Sequence, residues 1–418
     1  MDFDDLINNP IKVLNSGGKF KNYDYIFVDE YQDTSYSKFR LLKEIFKRTG
    51  AKFIVIGDDW QSIYSFNGCM IELFTNFENY FEYCKEFKIE KNYRNSSDLI
   101  NISSNFILEN ESQLPKDLIS NKLNSNAIKL TEYNSKKKFC LIFENMIKEI
   151  SYNFPGKEIL ILGRYNDSFK DIIVPGLFEI NNFKNYEKTL KEKGYLTIYY
   201  LEDLNLKIKF RTMHKSKGLE EENVIIIGLK NDKKDGFPSK YGNDSIMDYV
   251  LQKSDEKAYY AEERRLFYVA LTRSRNNVYL LVDGNNPSEF ITHLKNADNK
   301  NQIEYRNYKF TVGDFNRLNK FLSHKTKRNK VIDTKLKCQK CNHGIIKLHK
   351  KSNGKGYFKC SSCKFYFGPF NQSPIWINSL DYCNQDGCDG LTYVKKFDWG
   401  SMKICTYYKI NGCDAGRK

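Results

Sequence analysis

No run of eighteen apolar residues occurs anywhere in this 418-residue chain, so the sequence offers no helix able to span a bilayer. Its start, Met1-Asp2-Phe3-Asp4-Asp5, is acidic where a secretory signal carries basic residues. Both absences are read as a soluble, cytoplasmic protein with no membrane partner. No internal repeat of the solenoid type is present. Nor is there a G-x-x-x-x-G-K-[ST] phosphate loop; the nearest string, Gly17-Gly18-Lys19-Phe20, lacks the first glycine and the hydroxyl after lysine, and reads as a turn. Excess charge is missing from the first 300 residues, where 44 Lys and Arg face 44 Asp and Glu. Cysteine is scarce there too: Cys69, Cys84 and Cys140 are scattered and read as buried or idle thiols.

What the first 300 residues lack, the rest supplies. Residues 301–418 hold 23 Lys and Arg against 8 Asp and Glu, which accounts for the whole net charge of +15. Such density fits a polyanion, most simply nucleic acid, although a solvated lysine-rich tail would look alike. Eight cysteines crowd the same region. Cys338-x2-Cys341 and Cys360-x2-Cys363 have the spacing of a zinc ribbon, in which two thiolate pairs close a tetrahedral site. Cys383, Cys388, Cys405 and Cys413 form a looser second set. Tyr357, Phe358, Phe365, Tyr366 and Phe367 interleave with lysines, a pattern suited to stacking on single-stranded DNA.

Chain length allows two or three domains. Short apolar runs, Tyr25 to Val28 and Lys52 to Ile56, each end in an acidic turn and alternate with helix-like stretches, the rhythm of a parallel α/β sheet. A second set, Glu158 to Leu162, Lys207 to Arg211, Val224 to Ile227 and Val278 to Leu281, reads as strands of another parallel sheet, linked by helices such as Ala261 to Ser274. Val28 is followed by Asp29-Glu30-Tyr31-Gln32-Asp33. Two carboxylates at the end of a buried strand are how P-loop enzymes hold Mg²⁺ and position water.

Five blocks in one order carry a resemblance to superfamily 1 DNA helicases of the UvrD/Rep type, nearest the helicase IV branch. They are Asp29 to Asp33, Gly57 to Gly68, Asn92-Tyr93-Arg94-Asn95-Ser96, Arg211 to Glu220, and Glu262 to Arg273. The family frame is RecA-like P-loop NTPase domains with parallel sheets, the first partial here. The resemblance implies Asp29 on Mg²⁺, Glu30 as general base, Gln61 sensing the terminal phosphate, and Arg94 and Arg273 as arginine fingers. It places Tyr93, Gly218 and Glu220 beside the nucleotide, and Tyr64, Phe66, Thr212 and His214 beside DNA. The family often has an acid at the position of Trp60 and an arginine at that of Asn67. Salt bridges are the expected roles of Glu263 and Arg264. The second cysteine set resembles the C4 zinc fingers of bacterial type I topoisomerases.

The expected organisation is 1–86, the C-terminal part of a first RecA-like domain; 87–295, a second with a reduced insertion; 296–336, a linker with a short helix around Phe310 to Phe321; 337–370, a zinc ribbon; and 380–418, a second C4 module. The expected function is an ATP-dependent 3′–5′ DNA helicase or translocase, acting on single-stranded or partly duplex DNA in repair, recombination or defence, with ATP, Mg²⁺ and Zn²⁺ as cofactors. The alternatives are a non-motor nucleic-acid-binding subunit, a truncated gene product, or a chain whose phosphate loop comes from a second polypeptide.

Overall fold

The computed structural model describes residues 3–18, 21–180, 183–239, 257–298, 301–324, 330–337, 341, 343–350, 355–363, 366–367, 375–382, 391–397 and 400–405. It divides into Met1–Asp314 and Phe315–Lys418.

The first unit opens with α1 (Phe3–Asn15), which closes where the amides of Gly17 and Gly18 donate to the Leu14 and Val13 carbonyls. Gly17 has φ 86°, so the Gly17-Gly18 string is a helix-ending turn. β1 (Tyr25–Val28) pairs in parallel with β2 (Lys52–Val55) across α2 (Tyr36–Thr49), which Ser35 caps by accepting from the Lys38 amide. Alternation along both strands puts Phe53 against Phe46 of α2, ring centroids 5.3 Å apart, and leaves Tyr25, Phe27, Ile54 and Ile56 exposed on the other face. The short α3 (Glu72–Thr75) brings Leu73 into a small cluster with Phe39 and Phe81.

α4 (Ser97–Ile107) leads into an eight-stranded sheet. Its strands are β3 (Ile128–Tyr133), β4 (Ile159–Gly163), β5 (Phe178–Ile180), β6 (Leu196–Tyr200), β7 (Asp203–Thr212), β8 (Glu221–Leu229), β9 (Ser274–Asp283) and β10 (Ile303–Arg306). Their order is β10-β3-β9-β8-β4-β7-β6-β5, parallel from β10 to β7 and antiparallel at β6 and β5. β4 is buried at every position, as a strand covered on both faces must be. The helices are α5 (Lys136–Asn153), α6 (Tyr186–Lys193), α7 (Lys257–Leu271) and α8 (Glu289–Ala297). α4, α7 and α8 supply Phe106, Phe267 and Phe290 to one core with Leu160, Ile226 and Leu280. α5 sets Phe139 and Phe143 against Tyr133 and Phe178.

Two details differ from the sequence reading. The helix expected to reach Ser274 stops at Leu271, because Ser274 already begins β9. The stretch read as a linker contributes β10 to the sheet edge, while its amphipathic patch is a helix as expected, α9 (Val312–His324).

The second unit holds β11 (Lys330–Lys337), β12 (Ile345–Lys350), β13 (Lys355–Cys360), β14 (Tyr366–Phe367), β15 (Ile375–Tyr382), β16 (Leu391–Phe397) and β17 (Gly400–Cys405). They form one antiparallel sheet, β11-β12-β13-β15-β16-β17, with β14 also on β13.

Candidate nucleotide and nucleic-acid site

The acidic motif is shaped by its backbone. Tyr31 donates its amide to the Ile56 carbonyl, so the chain leaving β1 turns sharply across the end of β2. Glu30 sits in the left-handed region at φ 51°, and its amide donates to Asp29 Oδ1 at 2.9 Å. Gln32 is fully buried and ties both strand ends together. Its Nε2 donates to Glu30 Oε2 at 2.6 Å and its Oε1 accepts from the Asp58 amide at 3.0 Å. A Cβ on Gly57 would lie 2.5 Å from Gln32 Oε1, which explains the glycine there.

From Asp58 onward the loop after β2 belongs physically to the large sheet. Trp60 is wholly buried, its indole N–H donating to the Leu114 carbonyl at 2.9 Å and its ring edge-on to Tyr268 at 5.3 Å. Ile63 joins the large core. α7 clasps the same loop: Arg265 donates to the Ser62 carbonyl, and Glu262 accepts from the Ser65 amide at 3.1 Å and from its hydroxyl. Gln61 is thereby held with Nε2 on Asp58 at 2.6 Å and Oε1 accepting from Arg273 at 3.3 Å.

The opposing wall is basic. Arg273 is almost fully buried, donating to the Val269 carbonyl at 2.9 Å and the Leu219 carbonyl at 3.1 Å. Burial, and then the nearby Arg94 charge, push its guanidinium down to about 10. Arg94 Nε donates to Glu220 Oε2 at 2.6 Å. Glu220 also pairs with Arg275, and Arg275 first, then Arg94, hold its carboxyl down to about 2. Asn95, buried, fixes this wall by donating to the Thr272 and Ser274 carbonyls at 3.2 and 2.7 Å. Tyr93 is 80% exposed with Lys91 over its ring, and Gly218 takes φ 78°.

Lys217 crosses from this wall to the acids. Its Nζ lies 2.5 Å from Asp33 Oδ2, 2.9 Å from the Gln61 carbonyl and 3.6 Å from Glu30 Oε2.

Of the four residues assigned to DNA, Phe66 is exposed, edge-on to Tyr64 at 5.9 Å and His214 at 5.6 Å. Tyr64 is half-buried and donates to the His214 carbonyl at 3.3 Å. Thr212 is buried, its hydroxyl accepting from the Lys215 amide. Burial, then Arg164, push the His214 imidazolium down to about 3, so the ring is neutral near pH 7.

Acids and Gln61 from one segment therefore face two arginines from another. Residues 1–82 match the UvrD/REP helicase N-terminal domain, and residues 177–283 the UvrD-like helicase C-terminal domain. The chain is similar to UvrD-type helicases. DNA helicase IV of Escherichia coli K12 is 34% identical over 304 residues, 71% of this chain and 39% of that protein. The ATP-dependent DNA helicase PcrA of Bacillus subtilis is 31% identical over 144 residues, 33% of this chain and 19% of that one. The chain thus spans less than half the length of either relative. Among solved structures, the C-terminal domain of a possible DNA helicase from Lactobacillus plantarum is covered to 99% by 51% of this chain, at 13% identity and a TM-score of 0.28.

Within this UvrD-like frame, Glu263 accepts a bidentate pair from Arg164, Nη2 to Oε1 at 2.6 Å and Nε to Oε2 at 3.1 Å, and Arg264 reaches Glu109 at 2.7 Å. The sequence reading did not single out Lys217 or Arg275. The signals for them were the lysine before Gly218 and the second arginine in Arg273-Ser274-Arg275.

The second unit carries a separate constellation. Cys341, Cys360 and Cys363 bring their sulfurs within 4.8 Å of one another. Cys341 and Cys360 Sγ are 3.7 Å apart, far beyond a disulfide bond and close to the spacing of about 3.8 Å that two thiolates take around tetrahedral zinc. Gly344 N donates to Cys341 Sγ at 3.4 Å and Ser362 N to Cys360 Sγ at 3.3 Å, amides that would stabilise thiolates. A Cβ on Gly344 would lie 2.3 Å from Cys360 Sγ. Cys338, Cys383, Cys388 and Cys413 lie outside the described residues, and Cys405 ends β17.

Proposed function

We propose that this chain carries the nucleotide-hydrolysing and strand-gripping core of an ATP-dependent DNA helicase, moving 3′ to 5′ along single-stranded DNA in repair, recombination or defence. The observation that carries the reading is the link across the cleft: Gln61, tied to Asp58, meets Arg273, while Lys217 reaches Asp33 and Glu30. Asp29 would hold Mg²⁺, which when bound screens the phosphate charges. Glu30 takes the proton from attacking water, steadied by Gln32. Arg94 and Arg273 offer guanidinium N–H groups to the phosphoryl oxygens as charge develops there. Tyr93, Gly218 and Glu220 border the base and sugar. Phe66, with Tyr64, Thr212 and His214 shaping its surroundings, stacks on DNA bases. Because His214 is neutral, its part is hydrogen bonding and packing.

Zn²⁺ would be held by Cys341, Cys360 and Cys363 with Cys338 as the fourth thiolate, and a second ion by Cys383, Cys388, Cys405 and Cys413. In this reading the basic tail adds grip on DNA.

A second reading, a nucleic-acid-binding subunit whose phosphate loop is supplied by another polypeptide, is favoured by the exposed face of Tyr25, Phe27, Ile54 and Ile56. Purified chain is assayed for DNA-stimulated ATP hydrolysis with Glu30→Gln as control. Turnover by the wild type alone, lost in Glu30→Gln with DNA binding intact, supports a self-sufficient motor. Equal turnover in both proteins refutes the site assignment.

A further inference from the structure

We propose that Arg275 is a positioning residue for nucleotide binding, acting through Glu220 to keep the outer nitrogens of Arg94 available to a phosphate. The proposal rests on the reading of Arg94 as a phosphate ligand and adds a residue to it.

Arg94 is gripped by its inner nitrogen. Nε donates to Glu220 Oε2 at 2.6 Å, while Nη1 and Nη2 have no hydrogen-bond partner among the described residues. A guanidinium held in this way presents its two outer N–H₂ groups as a fork, the geometry that suits a phosphate. The same carboxylate could capture that fork by turning both oxygens onto Arg94. Arg275 occupies the second oxygen, Oε1, and prevents it.

Arg275 is placed for this by the start of β9. Ser274 is buried, accepting from Asn95 through its carbonyl at 2.7 Å and donating its hydroxyl to the Glu222 and Asn277 carbonyls at 3.2 and 2.9 Å. Arg273 and Arg275 flank this anchor. The first donates to Gln61 Oε1 in the cleft, and the second pairs with Glu220 at the more exposed rim, with 48% of its side chain accessible. One carboxylate thus serves two arginines, and the outer one leaves the inner one half-occupied.

The test is equilibrium binding of a slowly hydrolysed ATP analogue with Mg²⁺ to the full chain. Arg275→Ala is expected to weaken binding about tenfold, a coupling typical of groups in one ion-pair network. Arg275→Lys should recover part of the loss. In an Arg94→Ala background, Arg275→Ala should change nothing further. An equal loss in that background, or no loss in the single variant, overturns the proposal. Lack of analogue binding by the wild type overturns the nucleotide reading as well, and a cooperative melt like that of the wild type shows that each variant folds.

Discussion

Replacing Lys217 by Met tests whether the two sides of the cleft are held by charge. Lys217 is 8% exposed, and its ammonium lies 2.5 Å from Asp33 Oδ2. Asp33 Oδ1 is buried with no hydrogen-bond partner among the described residues, so loss of Lys217 leaves that carboxylate with little compensation. Breaking a buried pair costs about 3–5 kcal/mol, but Asp33 keeps 20% of its side chain exposed, so about 2–3 kcal/mol is expected. With an unfolding entropy of about 2.1 cal/mol/K per residue, a unit as long as Met1–Asp314 should lose about 3–5 °C in melting temperature.

The loss has a signature in pH. Burial already holds the Asp33 carboxyl above 3.8 despite Lys217, and removing the lysine raises it further. An acid whose folded value is raised binds its proton more tightly when folded, so stability falls as pH climbs from 3.8 through the folded value. The deficit of Lys217→Met should be full at pH 7.5 and smaller at pH 5, and Asp33→Asn should remove most of it. Thermal melts of the four proteins at both pH values check this. A deficit that is the same at both pH values and survives Asp33→Asn would refute the reasoning.

Three further outcomes follow from the geometry. Trp60→Ala should cost about 3–5 kcal/mol in urea unfolding, since a buried indole and its bond to Leu114 are lost together; a change under about 1 kcal/mol would show that the loop is not part of the core. With His214 neutral down to about pH 3, oligothymidine affinity between pH 6 and 8 should have the same slope in wild type and His214→Asn; extra affinity toward acid in the wild type alone would contradict the neutral ring. Metal analysis should find zinc that Cys341→Ser lowers by about one ion per chain, and unchanged content would remove that site.

The α/β rhythm and strands β1, β2, β4, β8 and β9 were legible because they are short apolar runs. β6 and β10 were not, since Tyr and Thr dilute the first and Glu304 and Arg306 the second, as expected at or near a sheet edge. Motif order pointed to the residues lining the cleft, yet the pairings inside it were invisible. Nothing in Trp60 or Arg265 announces that they join the loop after β2 to helix α7. Nothing in the loop from Arg211 to Glu220 marks Lys217 as internal, and only the approach of Asp33, distant in sequence, makes it so.

The loop from Asp59 to Ser65 also decides where the chain can be divided. Its place in sequence assigns it to the segment that begins with the acidic motif, while Trp60 and Ile63 fill the interior of the segment that follows. A fragment beginning at residue 87 would carry two open sockets, the size of an indole and a butyl side chain, and one ending at residue 86 would expose both plugs. Cutting at the apparent boundary should therefore yield two sticky halves, whereas a cut before Asp58 would leave the larger piece with its interior intact.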